Sequence, residues 1–286
     1  MTVPGKDKFF FVHIMKTGGT SFSEIVQQNF ALAERYPDAC LIDTEDFGRR
    51  TESYLNAPSV VADVNRNSST LRIVAGHVPY AVRELFTEQF ITMTVLRHPV
   101  DRTLSYLKHC RQFHSEHAGM SLEEIYELPW FNAMFIGNYQ TKIFSMTAEE
   151  AVDPTRMDID DSPVPSLSTL KQGDGMTPEV IEFVKNNPAR FILEVFSPST
   201  GRIRMNEQRL RTAVDNLRDV EVVGVTEHYE RFLKKLVDKY NWTVGEIPRA
   251  NTGSKESISA ELAHRIEQDC AADMALYESA LALSDP

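Results

Sequence analysis

Cysteine is scarce in this chain, since Cys40, Cys110 and Cys270 are the three present among 286 residues. Three cysteines this far apart do not form the disulfide framework of a small secreted domain. No apolar run has the roughly 20 residues that a membrane-spanning helix needs. The segment from Met1 to Lys8 is polar, and the apolar run after it is too short for a signal peptide. These absences predict a cytoplasmic protein without a transmembrane segment.

Positive charge is also in deficit, because 30 Lys and Arg residues stand against 41 Asp and Glu residues, for a formal net charge of −11. A general nucleic-acid surface is basic, so no nucleic-acid partner is expected. The composition is otherwise that of a globular protein, with 42% apolar and 25% charged residues. We predict one domain over residues 1–286, with a loop insertion at about 147–178, a segment rich in Pro, Ser and Asp.

The clearest motif follows a short apolar run, Phe9 to Ile14, which is typical of a strand buried on both faces of a parallel sheet. After it comes a glycine turn, and then a helical stripe of apolar residues from Phe22 to Ala33. This order aims free backbone N–H groups and a helix N-terminus at an anion. The residues predicted to bind a phosphate group here are Lys16, Thr17, Gly18, Gly19, Thr20 and Ser21. The lysine precedes the glycines, so the turn is not a Walker A loop.

Two further apolar runs end in the same way at polar residues. Leu71 to Ala75 is followed by His77, and Phe90 to Leu96 is followed by Arg97. Strands alternating with helices favour an α/β fold with a parallel sheet, whose ligands gather beyond the carboxyl ends of the strands. We therefore expect Lys16, His77 and Arg97 to lie at one edge of the sheet.

A helix is predicted to start at Pro99, a residue suited to a first helical turn, and to run to about Glu116 or His117. Ser105 lies in this helix, eight residues after Arg97. Helical side chains lean toward the N-terminus, so the Ser105 hydroxyl is expected to reach the same anion as Arg97.

The same helix carries Cys110, His114 and His117 on one face, and zinc binds these residue types. No fourth ligand is evident in the sequence. We therefore predict no metal site, and interpret this face as a polar surface.

The remaining periodic segments complete the predicted architecture. Residues 31–69 indicate loops and short helix, and Glu207 to Leu217 indicates a helix. Val220 to Val225 predicts a buried strand, after which Thr226 is expected to cap a helix. One last helix is predicted from Ser259 to about Leu283.

The glycine turn resembles the 5′-phosphosulfate loop of sulfotransferases, in the Lys-Thr-Gly-Gly-Thr-Ser form of the heparan sulfate 2-O- and 6-O-sulfotransferase group. The spacing from Arg97 to Ser105 is similar to the 3′-phosphate motif of the same family. The resemblance implies a P-loop-like, three-layer fold and the donor 3′-phosphoadenosine 5′-phosphosulfate, with adenosine 3′,5′-bisphosphate as product. It further implies in-line sulfuryl transfer to a hydroxyl of a small-molecule, saccharide or lipid acceptor.

The resemblance also implies roles for single residues. Lys16 would stabilise charge on the bridging oxygen of the donor. His77, in a Gly-His-Val segment like that of the 2-O group, would be the base that takes the acceptor proton. Thr226 would lie near the nucleotide base, and Ser254 and Lys255 belong to a late loop that would close over the 3′-phosphate.

Other interpretations of the same residues stay open at this point. The turn can join a strand to a helix without a ligand, His77 can be a hydrogen-bonded structural residue, and Arg97 can pair with a carboxylate. At the level of function, the alternatives are a nucleotide-dependent kinase and a non-catalytic nucleotide-binding protein. The kinase is disfavoured by the position of the lysine and by the lack of an evident magnesium-binding Asp.

Overall fold

A five-stranded sheet lies at the centre of the fold. The computed structural model describes residues 7–37, 55–113, 117–128, 132–153, 156, 203–245 and 256–285. Within them, the strands are β1 (Phe9–Val12), β2 (Arg35–Tyr36), β3 (Ile73–Gly76), β4 (Ile91–Leu96) and β5 (Val222–Val225). Their spatial order is β2-β3-β1-β4-β5, and every neighbouring pair is parallel. The predicted α/β fold with a central parallel sheet is therefore confirmed.

Helices cover both faces of this sheet. They are α1 (Gly19–Asn29), α2 (Ala57–Arg66), α3 (Pro99–Phe113), α4 (Leu122–Tyr126), α5 (Tyr139–Ser145), α6 (Ala148–Val152), α7 (Glu207–Arg218), α8 (Tyr229–Tyr240), α9 (Ala260–Asp269) and α10 (Ala271–Ser284). Short 3-10 segments occur at Leu32–Glu34, Tyr80–Leu85 and Thr226–His228, and a π-helical turn at Asn132–Ile136. In the described ranges, no helix has both the length and the apolarity to span a membrane.

The alternation of side chains along β1 divides the core into two parts. Phe9 and Phe11 face α1 and α8, where Phe11 stacks on Phe22 with 3.9 Å between ring centroids. Phe10 and Val12 face the larger layer, which contains α2, α3, α5, α7, α9 and α10. Because β1 is buried on both faces, all of its residues are apolar, as a central parallel strand requires.

The strand order places a reversal of topology at β1. From β1 the chain moves to β2 and β3 on one side, and then crosses β1 to add β4 and β5 on the other. Ligands of open parallel sheets bind at such a reversal, beyond the carboxyl ends of the strands. The glycine turn follows β1 at this position.

Two predictions about the first third of the chain were wrong in detail. The apolar stripe predicted to reach Ala33 ends with α1 at Asn29, and Ala33 lies in the 3-10 segment that follows. Residues 31–69, interpreted as loops and short helix, contain the edge strand β2 as well as α2. A two-residue strand has too few positions to show a period, so only its pairing with β3 defines it.

The single last helix predicted from Ser259 is two helices, broken at Cys270. The Asn138 side chain lies at the break: it accepts hydrogen bonds from the backbone N–H groups of Ala272 (2.8 Å) and Asp273 (3.1 Å). It also donates to the carbonyl of Asp269 at 3.0 Å. A side chain from more than 130 residues away thus caps both helix ends, and local periodicity carries no signal of it.

The predicted cap at Thr226 was also wrong. A 3-10 turn, Thr226–His228, follows β5, so α8 begins at Tyr229. The turn moves the helix start three residues along the chain, away from the reach of the Thr226 hydroxyl.

The prediction of a single domain with a loop insertion at about 147–178 stays a prediction. Residues 147–153 include helix α6, and most of the remaining segment lies outside the described residues.

Candidate active site

The glycine turn after β1 has the backbone of an anion-binding loop. Lys16 and Gly18 both have left-handed backbones, with φ of 71° and 92°. Gly18 is the N-cap of α1, so the first N–H groups of that helix open onto the turn. The Thr17 hydroxyl is turned inward and donates to the carbonyl of Ile14 at 2.8 Å, which holds the turn in shape. Thr17 can therefore offer a ligand its backbone N–H rather than its side chain.

The first turn of α1 supplies the remaining donors of the predicted phosphate site. Thr20 is exposed and Ser21 is half-buried. No acidic side chain occurs in this first helical turn. The positive end of the helix dipole is thus left uncompensated by protein charge, as an anion site requires.

Gly19 is in close contact with a residue that the motifs did not single out. A Cβ atom built on Gly19 would lie 1.7 Å from Nε2 of His13, so no larger residue fits while the His13 ring holds its position. The alternation along β1 is the signal that was available for His13, because it puts this residue on the same face as Phe11.

His77 follows β3 and lies beside His13 at the same edge of the sheet. The two ring centroids are 4.2 Å apart, and Nδ1 of His77 lies 2.6 Å from the backbone carbonyl oxygen of His13. A carbonyl only accepts hydrogen bonds, so Nδ1 carries the proton and Nε2 is the basic nitrogen of the neutral ring.

Burial lowers the pKa of His77 to about 4, although the hydrogen bond to His13 acts in the opposite direction; the charge of Lys16 lowers the pKa further. Burial, His77 and Lys16 likewise lower the pKa of His13 well below its usual value. Both imidazoles are therefore neutral at neutral pH, which is the form that a general base must have.

Arg97 joins the β4 end of the site to the glycine turn. Its Nη1 donates to the backbone carbonyl of Lys16 at 3.3 Å. The Gln140 side chain holds the Arg97 backbone from both sides, accepting from its N–H at 3.1 Å and donating to its carbonyl at 2.9 Å. Burial lowers the pKa of Arg97, and Asp101 and Glu227 act against that shift. The structure thus brings the two predicted anion-binding segments into direct contact.

Neither cation of the site has an ion-pair partner in the part of the chain that the structure describes. Lys16 and Arg97 are both half-buried, and burial lowers the pKa of Lys16, as does the charge of Arg97. Removing an unpaired charge from water is costly, so half-buried cations left unpaired point to an anionic ligand. Ser105 lies on α3, also half-buried, and its hydroxyl has no hydrogen-bond partner among the described residues.

Two buried hydroxyl groups at the β5–α8 junction, those of Thr226 and Tyr229, have no hydrogen-bond partner in the part of the chain that the structure describes. The Tyr229 ring packs against the glycine turn, since its Cε2 lies 3.4 Å from where a Cβ of Gly18 would be. Burial raises the pKa of Tyr229, so it stays protonated and can donate. Orphaned hydroxyls beside the turn fit a polar ligand that reaches from the turn toward this junction.

Several predicted residues lie outside the described ranges. Ser254 and Lys255 are among them, so the predicted late loop stays a prediction, and so is His114 of the interpreted polar face. Cys110 and His117, the other two residues of that face, are buried rather than on the surface. Among the described residues, no group of three His, Cys, Asp or Glu side chains could hold a metal ion.

Comparison with known proteins supplies a family match. The family model described as "Sulfotransferase domain" matches residues 6–152, just over half of the chain, and includes the glycine turn, His77, Arg97 and Ser105. No curated protein was found to be similar to the chain.

Proposed function

This chain belongs to the sulfotransferase family and is an enzyme that transfers a sulfuryl group; we propose that its donor is 3′-phosphoadenosine 5′-phosphosulfate and that His77 is its general base. The acceptor that we propose is an alcohol, in a small molecule, a saccharide or a lipid. The observation that carries the proposal is the pair of half-buried cations, Lys16 and Arg97, which meet at one sheet edge with no carboxylate of the described residues at ion-pair distance.

The residues present fit this donor. Lys16 and the N–H groups at the start of α1 would hold the 5′-phosphosulfate, and Arg97 with Ser105 would hold the 3′-phosphate. The orphaned hydroxyls of Thr226 and Tyr229 would meet polar atoms of the nucleoside. When bound, the donor supplies a sulfuryl group on a good leaving group.

The chain's own contribution is then positioning, charge and proton transfer. Lys16 would balance negative charge that develops next to the glycine turn. His77 would take the proton of the acceptor hydroxyl at Nε2, because its Nδ1 proton is committed to the carbonyl of His13. The same hydrogen bond would stabilise the imidazolium that forms.

Calorimetry with adenosine 3′,5′-bisphosphate and with ATP, both without magnesium, tests the donor. The proposal predicts that the bisphosphate binds more tightly than ATP. It also predicts that Arg97→Ala weakens bisphosphate binding relative to wild type. A nucleotide-dependent kinase predicts the reverse order, with ATP favoured when magnesium is added.

Turnover tests the base. With radiolabelled donor and a library of alcohols, His77→Ala is expected to reduce turnover about a hundredfold or more while bisphosphate affinity survives. His264→Ala is the matched control, because His264 lies on α9 with a side chain that is 68% exposed. Unchanged turnover in His77→Ala removes this residue from the mechanism, and binding without transfer to any alcohol indicates a non-catalytic protein.

A further inference from the structure

A cavity lies between α1 and the sheet, next to the residues of the proposed active site. Its walls are mostly apolar and include Phe11, Phe22, Val26, Ile73 and Ala75. Gly19 and His13 border it, so the cavity begins at the glycine turn. Small-molecule sites are commonly of this kind: apolar walls with a few polar groups that fix orientation.

Arg35 is the charged residue of this cavity wall that does not belong to the proposed donor site. The β2–β3 register pairs Arg35 with Ile73, which puts its side chain on the α1 face of the sheet. Among the described residues, its buried Nε has no hydrogen-bond partner and no carboxylate forms an ion pair with it. The neighbouring Arg72 differs, because it lies 3.8 Å from the carboxylate of Glu34.

Among the described residues this half-buried guanidinium has no partner, and its apolar surroundings favour the binding of an anion. The phosphate groups of the proposed donor are held elsewhere, by the glycine turn and Arg97. Neither the described residues nor the proposed donor supplies an anion at Arg35, so a second ligand is the candidate partner.

Sheet register shows how far the two ends of the cavity are separated. Arg35 is level with Ile73, four residues before His77 on β3. At about 3.3 Å per residue, their backbones are roughly 13 Å apart along the strand. The Arg35 side chain shortens this span, so a ligand of on the order of 10 Å reaches from the guanidinium to His13, whose ring lies beside that of His77.

We propose that this cavity is the acceptor pocket, and that the acceptor is an alcohol with an apolar body and an anionic group that binds Arg35. The inference rests on the proposed function, because it needs the hydroxyl to be the group that receives the sulfuryl group. The hydroxyl lies at the end bordered by Gly19 and His13, and the anionic group lies at the opposite end.

Two probe alcohols test the proposal: ω-hydroxydecanoate, which carries a carboxylate, and the neutral decanediol of the same length. We expect the wild-type enzyme to sulfate the carboxylate probe with a kcat/KM higher by about tenfold to a hundredfold, as a hydrogen-bonded charge pair implies. Arg35→Gln is expected to bring the ratio of the two kcat/KM values close to one, because kcat/KM falls for the carboxylate probe and not for the diol. Arg66→Gln is the control, because Arg66 is 69% exposed and pairs with Asp63 on α2.

A second variant covers the case in which Arg35→Gln folds poorly. Ala75→Leu narrows the cavity without changing its charge, so it is expected to lower kcat/KM for both probes by a similar factor. Calorimetry with the bisphosphate is run on every variant, and its affinity is expected to stay within about twofold of wild type. That range is below the 1.4 kcal/mol of a tenfold change.

Equal use of both probes by the wild type overturns the acceptor proposal, and so does a charge preference that survives Arg35→Gln. If the enzyme binds the bisphosphate but sulfates neither probe, the cavity is not this acceptor pocket, while the proposed donor stands. If the wild-type enzyme does not bind the bisphosphate, the proposed function itself is refuted.

Discussion

Replacement of Gly19 by alanine tests the geometry of the candidate site most directly, because two physical effects predict changes of opposite sign in the stability of the fold. Gly19 is the first residue of α1, so alanine there gains at most the roughly 0.5–1 kcal/mol by which it exceeds glycine in a helix interior. The new methyl group, however, would lie 1.7 Å from Nε2 and 2.1 Å from Cε1 of His13. Ordinary contacts of a Cβ lie at 3.4–4 Å, so the ring or the turn must move.

The size of that movement decides which effect is larger. Overpacking of a well-packed site costs about 1–3 kcal/mol, which is more than alanine gains over glycine in helix propensity. We therefore expect Gly19→Ala to destabilise the fold by about 1–2 kcal/mol. A shift of the turn also misaligns the N–H groups aimed at the phosphate, so bisphosphate binding should weaken about tenfold to a hundredfold.

Calorimetry and thermal melts of three variants provide the assay. His13→Ala removes the clashing ring, so the double variant His13→Ala/Gly19→Ala should bind the bisphosphate better than Gly19→Ala alone. We expect its affinity to lie within about threefold of His13→Ala, which is a coupling between residues in contact. Gly119→Ala is the control, since a Cβ there meets no atom within 4 Å. A Gly19→Ala enzyme that melts higher than wild type and binds as tightly would refute the reasoning.

Three further predictions concern a proton, a backbone clamp and an ion pair. The base must be neutral to accept a proton, and the pKa of His77 is lowered to about 4. We therefore expect kcat/KM to stay level as pH falls from 7 to about 5 and to decline near pH 4. A decline centred near pH 6.5, the pKa of an unperturbed histidine, contradicts the assignment. Gln140→Ala removes both hydrogen bonds to the Arg97 backbone, so the bisphosphate Kd should rise about fivefold to twentyfold, as calorimetry would show. Glu150→Ala removes the carboxylate that pairs with Arg209, where both side chains are about nine-tenths buried, and should cost about 2–4 kcal/mol in urea unfolding at pH 7.

The ion-pair prediction also has a pH dependence and a control. Burial alone raises the pKa of Glu150, but hydrogen bonds from Arg209 and Thr147 outweigh it and lower that pKa. The stability from the pair is therefore present above the unfolded carboxyl pKa and is lost as pH falls through the folded one. Glu207→Ala is the control, because its pair with Arg211 is exposed and should be worth less than about 1 kcal/mol.

Much of the sheet and of its polar edge is encoded locally. Four of the five described strands coincide with mostly apolar runs, because a strand buried on both faces favours apolar residues along its length. Parallel strands end at one edge, so the residues just after them, Lys16, His77 and Arg97, meet there. The sequence predicts that convergence without any knowledge of side-chain contacts.

The contacts that complete the site are not encoded locally. His13 against Gly19, Gln140 on the Arg97 backbone and Asn138 between the last two helices each join residues that adjacent sequence does not relate. Arg35 became a candidate ligand-binding residue only when β2 paired with β3 and turned its side chain toward α1. Hydrophobic period is a property of neighbouring residues along the chain, whereas these contacts exist only once distant segments have packed together.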